Sequence, residues 1–245
     1  MAPPKDQVIL NLGCGYKTTP YTVDIDFSIQ QRIRASRFAP LIAKVALNDT
    51  RREMFDTMAA DDVLVHDLRK GIPYPDGSVD AVYHSHVLEH IDRDHAPGFF
   101  AEILRVLRPG GIHRLALPDL REVVQRYLDS YERQDPNHAE TGVRPLYGQS
   151  VQREAHGTSL QKPLRRKIEN LLLGDARKRG ETHQWMYDEV SLTQALIAAG
   201  FVDPVRLDAY TSDVPGWNEI GLDLNADRSA PHKPGSLWME ARKPG

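Results

Sequence analysis

The chain has few of the features that crosslink a protein, charge its surface or anchor it. It contains one cysteine, Cys14, among 245 residues, so no disulfide can form within the chain and a reducing compartment is expected. Its 31 basic and 34 acidic residues nearly cancel to a formal charge of −3, which argues against a protein that binds nucleic acid through its overall charge. No apolar run approaches the roughly 18 residues of a membrane-spanning helix, and the first residues lack the apolar core of a signal peptide. These absences predict a cytoplasmic protein without an integral membrane segment.

Sequence features that would divide the chain are missing as well. We find no internal repeat, no low-complexity tract and no linker rich in glycine or serine. We therefore expect a single domain over residues 1–245, which is long enough to bury a substantial core. Residues 28–58 are irregular and are interpreted as a lid insertion, with a solvated pair of surface helices as the alternative. Residues 135–182 begin with a loop too long for a simple connection and are interpreted as a substrate-side insertion.

A glycine motif near the start of the chain indicates a ligand site. The apolar run from Val8 to Leu12 breaks into Gly13 and Gly15, as expected for a buried parallel strand whose carboxyl end a ligand approaches closely, although an ordinary tight turn needs the same glycines. A second apolar run ends in Asp24, at a position where an acid can hold a pair of ribose hydroxyls. The third glycine of the dinucleotide fingerprint is replaced by Thr18, and too few residues remain before Asp24 for a full crossover helix. The motif therefore favours a ligand without phosphates.

The rest of the chain alternates between strands and helices. Apolar residues recur at helical spacing over residues 99–107, 120–131 and 164–172, and a further helix begins at an N-cap, Asp188, and ends at Gly200. This alternation is typical of an α/β fold. Seven strands are predicted, at about 8–12, 21–24, 63–66, 79–84, 112–117, 202–207 and 237–241.

Five motifs follow one another along the chain: Leu10–Gly15, Val23–Asp26, Pro73–Val82, His86–His90 and Leu104–Gly111. Taken in order, they resemble those of class I methyltransferases that use S-adenosylmethionine. Each motif is common alone, but their order and spacing are specific, and the resemblance covers Val8 to Asp119. It implies a Rossmann-like seven-stranded sheet of strand order 3-2-1-4-5-7-6 with the last strand antiparallel, here with a shortened first crossover. The short crossover and residues 183–188 and 236–242 are also similar to a bacterial subgroup associated with glycan and cell-envelope synthesis.

The resemblance implies S-adenosylmethionine as the cofactor, and this molecule carries no phosphate. Gly13 and Gly15 are expected to allow close backbone approach, and Asp24 to accept hydrogen bonds from the ribose. Asp67 is expected to accept one from the adenine amino group, with a plain helix cap as the alternative, and Leu68 to lie against the adenine ring. The cofactor-binding residues expected in full are Leu12, Gly13, Cys14, Gly15, Asp24, Ile25, Asp67, Leu68 and His84.

Methyl transfer requires an aligned nucleophile and, for a sugar hydroxyl, a base. His84 and His86 lie two apart at the end of the fourth strand and are expected to share a face. His86 is the first candidate for the base, with a structural hydrogen bond as the alternative. Asp119 ends the fifth strand and is a candidate base, substrate anchor or metal ligand. His183 is a further catalytic candidate, and His156 is a candidate for contact with the substrate.

Metal binding is left open by the sequence. Related sugar methyltransferases often use Mg²⁺, which prefers carboxylates and water, but no dense carboxylate cluster marks a site. Glu89 and His90 follow the expected methyl position by one turn and are interpreted as structural residues. His113, at the other end of the fifth strand, is expected to be inert.

Together these features predict an enzyme that O-methylates a sugar hydroxyl of a polysaccharide, oligosaccharide or glycolipid. Three alternatives are kept: N- or O-methylation of a non-sugar small molecule, a nicotinamide-dependent Rossmann oxidoreductase, and a binding module without turnover. The expected partner is a small-molecule or oligosaccharide substrate and not a nucleic acid, and a homodimer is left open.

Overall fold

A computed structural model describes residue 4 and residues 6–34, 63–149 and 182–245 of the chain, and these residues are built around one seven-stranded sheet. The strands lie in the order β3-β2-β1-β4-β5-β7-β6. The first five pair in parallel, and β7 runs antiparallel to both β5 and β6. The strand order and the antiparallel last strand implied by the resemblance are confirmed. The strands are β1 Ile9–Leu12, β2 Val23–Asp26, β3 Leu64–Val65, β4 Val79–Ser85, β5 Leu107–Pro118, β6 Val202–Leu207 and β7 Ser236–Arg242.

Helices follow several of the strands. α5 begins with a reciprocal cap, as predicted: Asp188 accepts from the Ser191 amide at 2.8 Å, and the Ser191 hydroxyl accepts from the Asp188 amide at 3.1 Å. It ends at Gly200, whose φ of 102° suits glycine. The described helices are α1 Ile29–Arg34, α2 Ala96–Val106, α3 Leu120–Glu132, α4 Arg144–Gln149, α5 Glu189–Ala199 and α6 Trp217–Ile220, with short turns at Leu68–Lys70, Leu88–His90 and Ala139–Val143.

One face of the sheet is covered by helices α2 and α5. Parallel strands need apolar cover on both faces, and here Leu10, Leu12 and Val82 point towards this pair of helices. The helices contribute buried side chains that include Phe100 and Ile103 from α2 and Leu192 and Leu196 from α5.

The other face is covered by the segment between β6 and β7, residues 208–235, here called the covering segment. Its buried residues, among them Trp217 and Ile220, pack on Ile9 and Tyr83 of the sheet. The β1–β2 connection, residues 13–22, contains no helix, which confirms the shortened crossover. Lys17 in that connection donates from Nζ to the Leu224 carbonyl at 2.6 Å, so the two parts are tied together.

A buried arginine joins the covering segment to the sheet. Arg114 on β5 is fully buried and forms ion pairs at 2.8 Å with both Asp223 and Glu240. Its remaining donors reach the backbone carbonyls of Thr211 and Asp208. Because every partner is buried or part-buried, removing one charged member of this group would leave an uncompensated buried charge and strongly destabilise the fold.

Two strand boundaries differ from the sequence prediction. β2 was predicted to end at Asp24, but a turn from Thr19 to Thr22 delays its start, and the strand runs on to Asp26. β5 was predicted to begin at residue 112, but it begins at Leu107, immediately after α2. Gly110 and Gly111 exchange backbone hydrogen bonds with Lys243 at 3.0 Å, which draws this glycine stretch into the sheet.

Several sequence predictions lie outside the described residues. They are most of the lid insertion 28–58, much of the insertion 135–182, the helix at 164–172 and His156. Within the described ranges, no helix has the length and apolar character needed to cross a membrane.

Candidate functional site

The loop after β1, residues 13–17, forms one side of the candidate site. Gly13 and Gly15 both have positive φ, 64° and 57°, which favours glycine. A Cβ on Gly13 would lie 2.5 Å from Cγ2 of Val87, whereas a Cβ on Gly15 would meet nothing within 4 Å. Gly13 is therefore required by packing inside the protein, and Gly15 is the glycine that faces open space.

The residues between and beside these glycines are buried. Leu12 and Ile25 are fully buried, and the Ile25 carbonyl accepts from the Gly13 amide at 2.7 Å. Cys14 is 7% exposed; burial, helped by the charges of Asp26 and Asp24, raises the pKa of its thiol. The thiol therefore stays protonated at neutral pH and offers no nucleophile.

Asp26 is the acid at the carboxyl end of β2. Its Oδ2 accepts from the Gly15 amide at 2.8 Å, and its Oδ1 accepts from the Ser28 amide at 2.5 Å. A carboxylate has further lone pairs after accepting two such bonds. Asp26 therefore lies beside the open glycine with acceptor capacity to spare.

Asp24, which the sequence analysis assigned to the ribose, lies inside β2. It pairs with Asn11 across the β1–β2 ladder and accepts from Asn11 Nδ2 at 2.7 Å and from the Thr22 hydroxyl at 2.9 Å. The assignment to Asp24 followed from ending the strand two residues early. In this geometry the acid at the ligand edge is Asp26.

Asp67 and Leu68 follow β3 at the same edge of the sheet. Asp67 caps the turn Leu68–Lys70: it accepts from the Arg69 amide at 3.1 Å and from the Arg69 guanidinium at 2.8 and 2.7 Å. The hydrogen bonds from Arg69 lower the pKa of Asp67. Leu68 is partly buried against the core. Asp67 thus caps a turn, and its assignment to the adenine amino group stays a prediction.

His84 and His86 have different surroundings, contrary to the expectation that they share a face. His84 is fully buried, with Nε2 3.0 Å from Nε2 of His113 and its ring 5.3 Å from that of Phe99. Burial lowers the pKa of His84 to about 4 and that of His113 well below its ordinary value. The structure does not bring His84 to the cofactor edge, because its ring lies in the core. His86 comes after the strand has ended and has a φ of 55°.

His86 is held at the carboxyl end of β4 by contacts on both ring nitrogens. Nδ1 lies at ion-pair distance, 3.2 Å, from Oε1 of Glu89, and Nε2 lies 3.0 Å from the Ser236 hydroxyl. Glu89 is fully buried. Burial alone would raise the pKa of Glu89, but the contact with His86 and the charges of His86 and His90 outweigh it, and the pKa falls below its usual value. Glu89 is therefore a buried carboxylate next to a partly exposed imidazole.

Two more histidines lie against Glu89. His90 Nε2 is 3.9 Å from Glu89 Oε1, and the His90 and His183 rings are 5.0 Å apart. His183 is brought there because the Gln184 amide donates to the Glu89 carbonyl at 2.6 Å. We call His86, Glu89, His90 and His183 the histidine–glutamate cluster. The sequence analysis interpreted Glu89 and His90 as structural residues. The spacing of His86, Glu89 and His90, which places all three on one turn after a strand, could have indicated that they form a cluster.

Asp119 lies outside this cluster. It caps α3 by accepting from the Arg121 amide at 3.0 Å, and its other oxygen accepts from Arg206 at 2.9 Å. Both carboxylate oxygens are thus engaged, and the side chain is 2% exposed. The structure assigns Asp119 a capping and ion-pairing position and offers no support for its use as a base.

A narrow crevice adjoins the cluster through Ser236. It lies between the ends of β4, β5 and β7 and the covering segment. Burial lowers the pKa of Lys233, which lines it. Its lining includes Tyr83, Ser85, Asp223, His232, Lys233 and Ser236.

Comparison with known proteins gives one family match. Residues 10–115 match the family described as a methyltransferase domain. The matched residues run from β1 into β5 and contain the glycine loop, Asp26 and the turn that carries His86, Glu89 and His90. No curated protein sequence matches the chain.

Solved structures similar to the chain include three methyltransferases. One is a SAM-dependent methyltransferase from Methanosarcina mazei, with 18% identity, a TM-score of 0.48, and coverage of 98% of this chain and 94% of that one. Another, from Archaeoglobus fulgidus, has 12% identity, a TM-score of 0.44, and coverage of 98% and 87%. The third is 1,6-didemethyltoxoflavin-N1-methyltransferase from Burkholderia thailandensis, with 15% identity, a TM-score of 0.44, and coverage of 100% and 72%.

Proposed function

We propose that this chain, an enzyme that carries a methyltransferase domain over residues 10–115, transfers the methyl group of S-adenosylmethionine to a sugar hydroxyl of a glycan, oligosaccharide or glycolipid. The observation that carries the proposal is the position of His86, which lies at the carboxyl end of β4 between Glu89 and the crevice. A hydroxyl is a poor nucleophile until its proton is removed, and a positioned histidine can remove it.

The cofactor half of the proposal rests on Gly15 and Asp26. When bound, S-adenosylmethionine supplies a methyl group on a positively charged sulfur. Gly15 leaves space for a ligand beside the backbone, and Asp26 has lone pairs left for ribose hydroxyls. We therefore propose Asp26 as the ribose acceptor in place of Asp24. The loop is supported on its buried side by Leu12, Gly13, Cys14 and Ile25.

The catalytic half rests on the tautomer of His86. The negative charge of Glu89 beside Nδ1 favours the form that carries its proton on Nδ1, so Nε2 is left as the acceptor. Ser236 Oγ lies 3.0 Å from Nε2 but donates its own proton to the Lys233 carbonyl at 2.8 Å, so Nε2 acts as the base only when the acceptor hydroxyl replaces Ser236 as its partner. The crevice itself has a volume of only about 10 Å³, so an acceptor hydroxyl would reach Nε2 by displacing the Ser236 side chain.

The choice of a sugar rests on two stretches that resemble the glycan-linked subgroup. Residues 183–188 contribute His183 to the histidine–glutamate cluster, and residues 236–242 begin with Ser236, which contacts His86. Both stretches therefore border the candidate site. An amine acceptor, the main alternative, needs less help from a base and would make little use of His86.

The proposal is tested by binding and then by turnover. Calorimetry should show that S-adenosylhomocysteine binds and that NAD does not. Turnover with S-adenosylmethionine is then measured on a panel of sugars, amines and phenols. His86→Gln should lower kcat on the sugar acceptor by at least about 100-fold, which is the lower range for a general base, and leave S-adenosylhomocysteine affinity unchanged. His95→Gln, at an exposed histidine, is the matched control.

Two results would contradict the proposal. If NAD binds and S-adenosylhomocysteine does not, the assignment of S-adenosylmethionine as the cofactor is wrong. Full turnover of a sugar by His86→Gln would show that His86 is not the base. Turnover confined to amines would favour N-methylation.

A further inference from the structure

Three side chains of the histidine–glutamate cluster are arranged like the ligands of a metal ion. Glu89, His90 and His183 each offer one ligand atom, and these atoms all lie within 4.8 Å of one another. Glu89 is fully buried. Its Oε1 lies 3.2 Å from His86 Nδ1, while its Oε2 and His90 Nδ1 have no hydrogen-bond partner among the described residues. A buried acceptor without a partner is unfavourable, so Oε2 can accept a further positive group.

We propose that Glu89, His90 and His183 together bind one divalent metal ion of the kind that prefers imidazole ligands, with Zn²⁺ the foremost candidate. Two histidines and one carboxylate form the protein ligand set of many catalytic zinc sites, which keep a further position open. The same set also suits other first-row divalent ions. Mg²⁺ prefers an all-oxygen shell, so this nitrogen-rich set favours a transition metal over Mg²⁺, the ion that the sequence analysis left open.

The spacing of the ligand atoms is compatible with an ion between them. Zinc–nitrogen distances of about 2.0–2.1 Å in a tetrahedral site place ligand atoms about 3.3 Å apart. The ligand atoms here lie within 4.8 Å of one another, so binding would require the side chains to close by up to about 1.5 Å. The backbone beneath them is already fixed, because the Gln184 amide donates to the Glu89 carbonyl.

The contacts around the three ligands are those of an outer shell. Nδ1 of His183 lies 3.2 Å from the Gln149 carbonyl, which orients the ring and leaves Nε2 as the ligand atom. Metal-bound histidines usually make such a contact with the second ring nitrogen. On the other side His86 lies against Oε1 of Glu89, and ligating carboxylates usually have an outer partner of this kind.

The position of the ion gives it a use in the proposed methyl transfer. An ion bound to Glu89 would hold this carboxylate in place beside Nδ1 of His86. It would thereby fix the imidazole ring whose other nitrogen, Nε2, meets the acceptor hydroxyl in the proposed function. This role rests on the proposed function; the binding of the ion does not.

The experiment measures metal binding by the full chain without cofactor or acceptor. Protein treated with a chelator is titrated with Zn²⁺, Mn²⁺ and Mg²⁺ by calorimetry, and with Co²⁺ by visible absorption. We expect one Zn²⁺ per chain and a Co²⁺ spectrum of low coordination number. His183→Ala and Glu89→Gln should each weaken Zn²⁺ binding by more than about 100-fold, because even outer-shell changes weaken it by about 10–100-fold. His95→Ala, at an exposed histidine outside the cluster, should leave it unchanged.

Three results would overturn the inference: no bound Zn²⁺, binding that His183→Ala and Glu89→Gln leave intact, or tighter binding of Mg²⁺ than of Zn²⁺. Circular dichroism checks that each variant is folded, and His183 is only partly buried, so its variant keeps the test decisive if Glu89→Gln does not fold. Because no methyl transfer is measured, a failure of the proposed function leaves this result standing, and the reverse also holds.

Discussion

Replacing Gly13 by alanine should destabilise the protein more than the same change at Gly15, although both glycines have nearly the same backbone conformation. Their φ angles are 64° and 57°, so the left-handed backbone conformation costs an alanine a similar free energy at each position, roughly 1–2 kcal/mol. Only at Gly13 does the new methyl group meet another side chain, Cγ2 of Val87 at 2.5 Å. The difference between the two variants therefore isolates this one contact.

The size of the difference follows from the clash. Overpacking a well-filled region costs about 1–3 kcal/mol, so Gly13→Ala should lower the free energy of unfolding by about 2–5 kcal/mol in total. Gly15→Ala should lower it by about 1–2 kcal/mol. Removing the opposing side chain with Val87→Ala should relieve the clash, so the double variant with Gly13→Ala should be more stable than the two single effects predict, by about 0.5–3 kcal/mol.

Urea unfolding followed by circular dichroism measures all four free energies. Calorimetry with S-adenosylhomocysteine gives an independent comparison, because a methyl group on Gly15 enters the open space assigned to the ligand. Gly15→Ala should therefore weaken binding more than its effect on stability explains. Equal destabilisation by Gly13→Ala and Gly15→Ala, or no rescue by Val87→Ala, would refute the packing argument.

Three further predictions follow from buried charges and histidines. Asp26→Ala should weaken S-adenosylhomocysteine binding at least tenfold in calorimetry, and Asp24→Ala should weaken it less, because Asp26 lies at the strand end. Arg114→Leu should lower the free energy of unfolding by about 3–5 kcal/mol in urea, because it leaves two carboxylates buried without their partner. Since burial lowers the pKa of His84 to about 4 and also lowers that of His113, the unfolded chain binds more protons below about pH 6.5. The free energy of unfolding should therefore be highest above about pH 6.5 and fall as the pH drops towards 4, by roughly 3 kcal/mol for His84 alone. The double variant His84→Met with His113→Phe should show a weaker pH dependence in urea titrations.

Each of these has a control that the chain supplies. Arg126→Ala removes an exposed ion pair to Glu122 and should change stability by less than about 1 kcal/mol. His95→Ala should leave the pH dependence as it is. A larger effect of Asp24→Ala than of Asp26→Ala on ligand affinity would restore the original assignment of the ribose acid, and a stability that rises as the pH falls below 6.5 would contradict the burial of His84.

Local signals in the sequence predicted local structure well. The capped start of α5 at Asp188 and its end at Gly200 were read from residue types that act on their own neighbours, and both are confirmed. The short connection after Gly15 also followed from the sequence, because so few residues cannot form a crossover helix. The strand order came from the resemblance of whole motifs to a known family.

The boundary of β2 shows where local signals were insufficient. The sequence Val23–Asp26 alternates apolar and acidic residues, so either acid can end the strand on pattern alone. The register with β1, which pairs Asn11 with Asp24, decides that the strand continues to Asp26. Register depends on a partner strand and on the turn before it, and neither is encoded in the four residues themselves.

The sequence by itself determined the alternation of strands and helices, the glycine loop and the presence of His86 at a strand end, because each depends on residues close together in the chain. The tertiary structure alone decided which side chains meet. His183 reaches Glu89 across about ninety intervening positions through one backbone hydrogen bond, and Trp217 packs on Ile9 and Tyr83 on the face of the sheet opposite helices α2 and α5. Contacts of this range depend on the packing of several elements at once, so no pattern along the chain could have specified them.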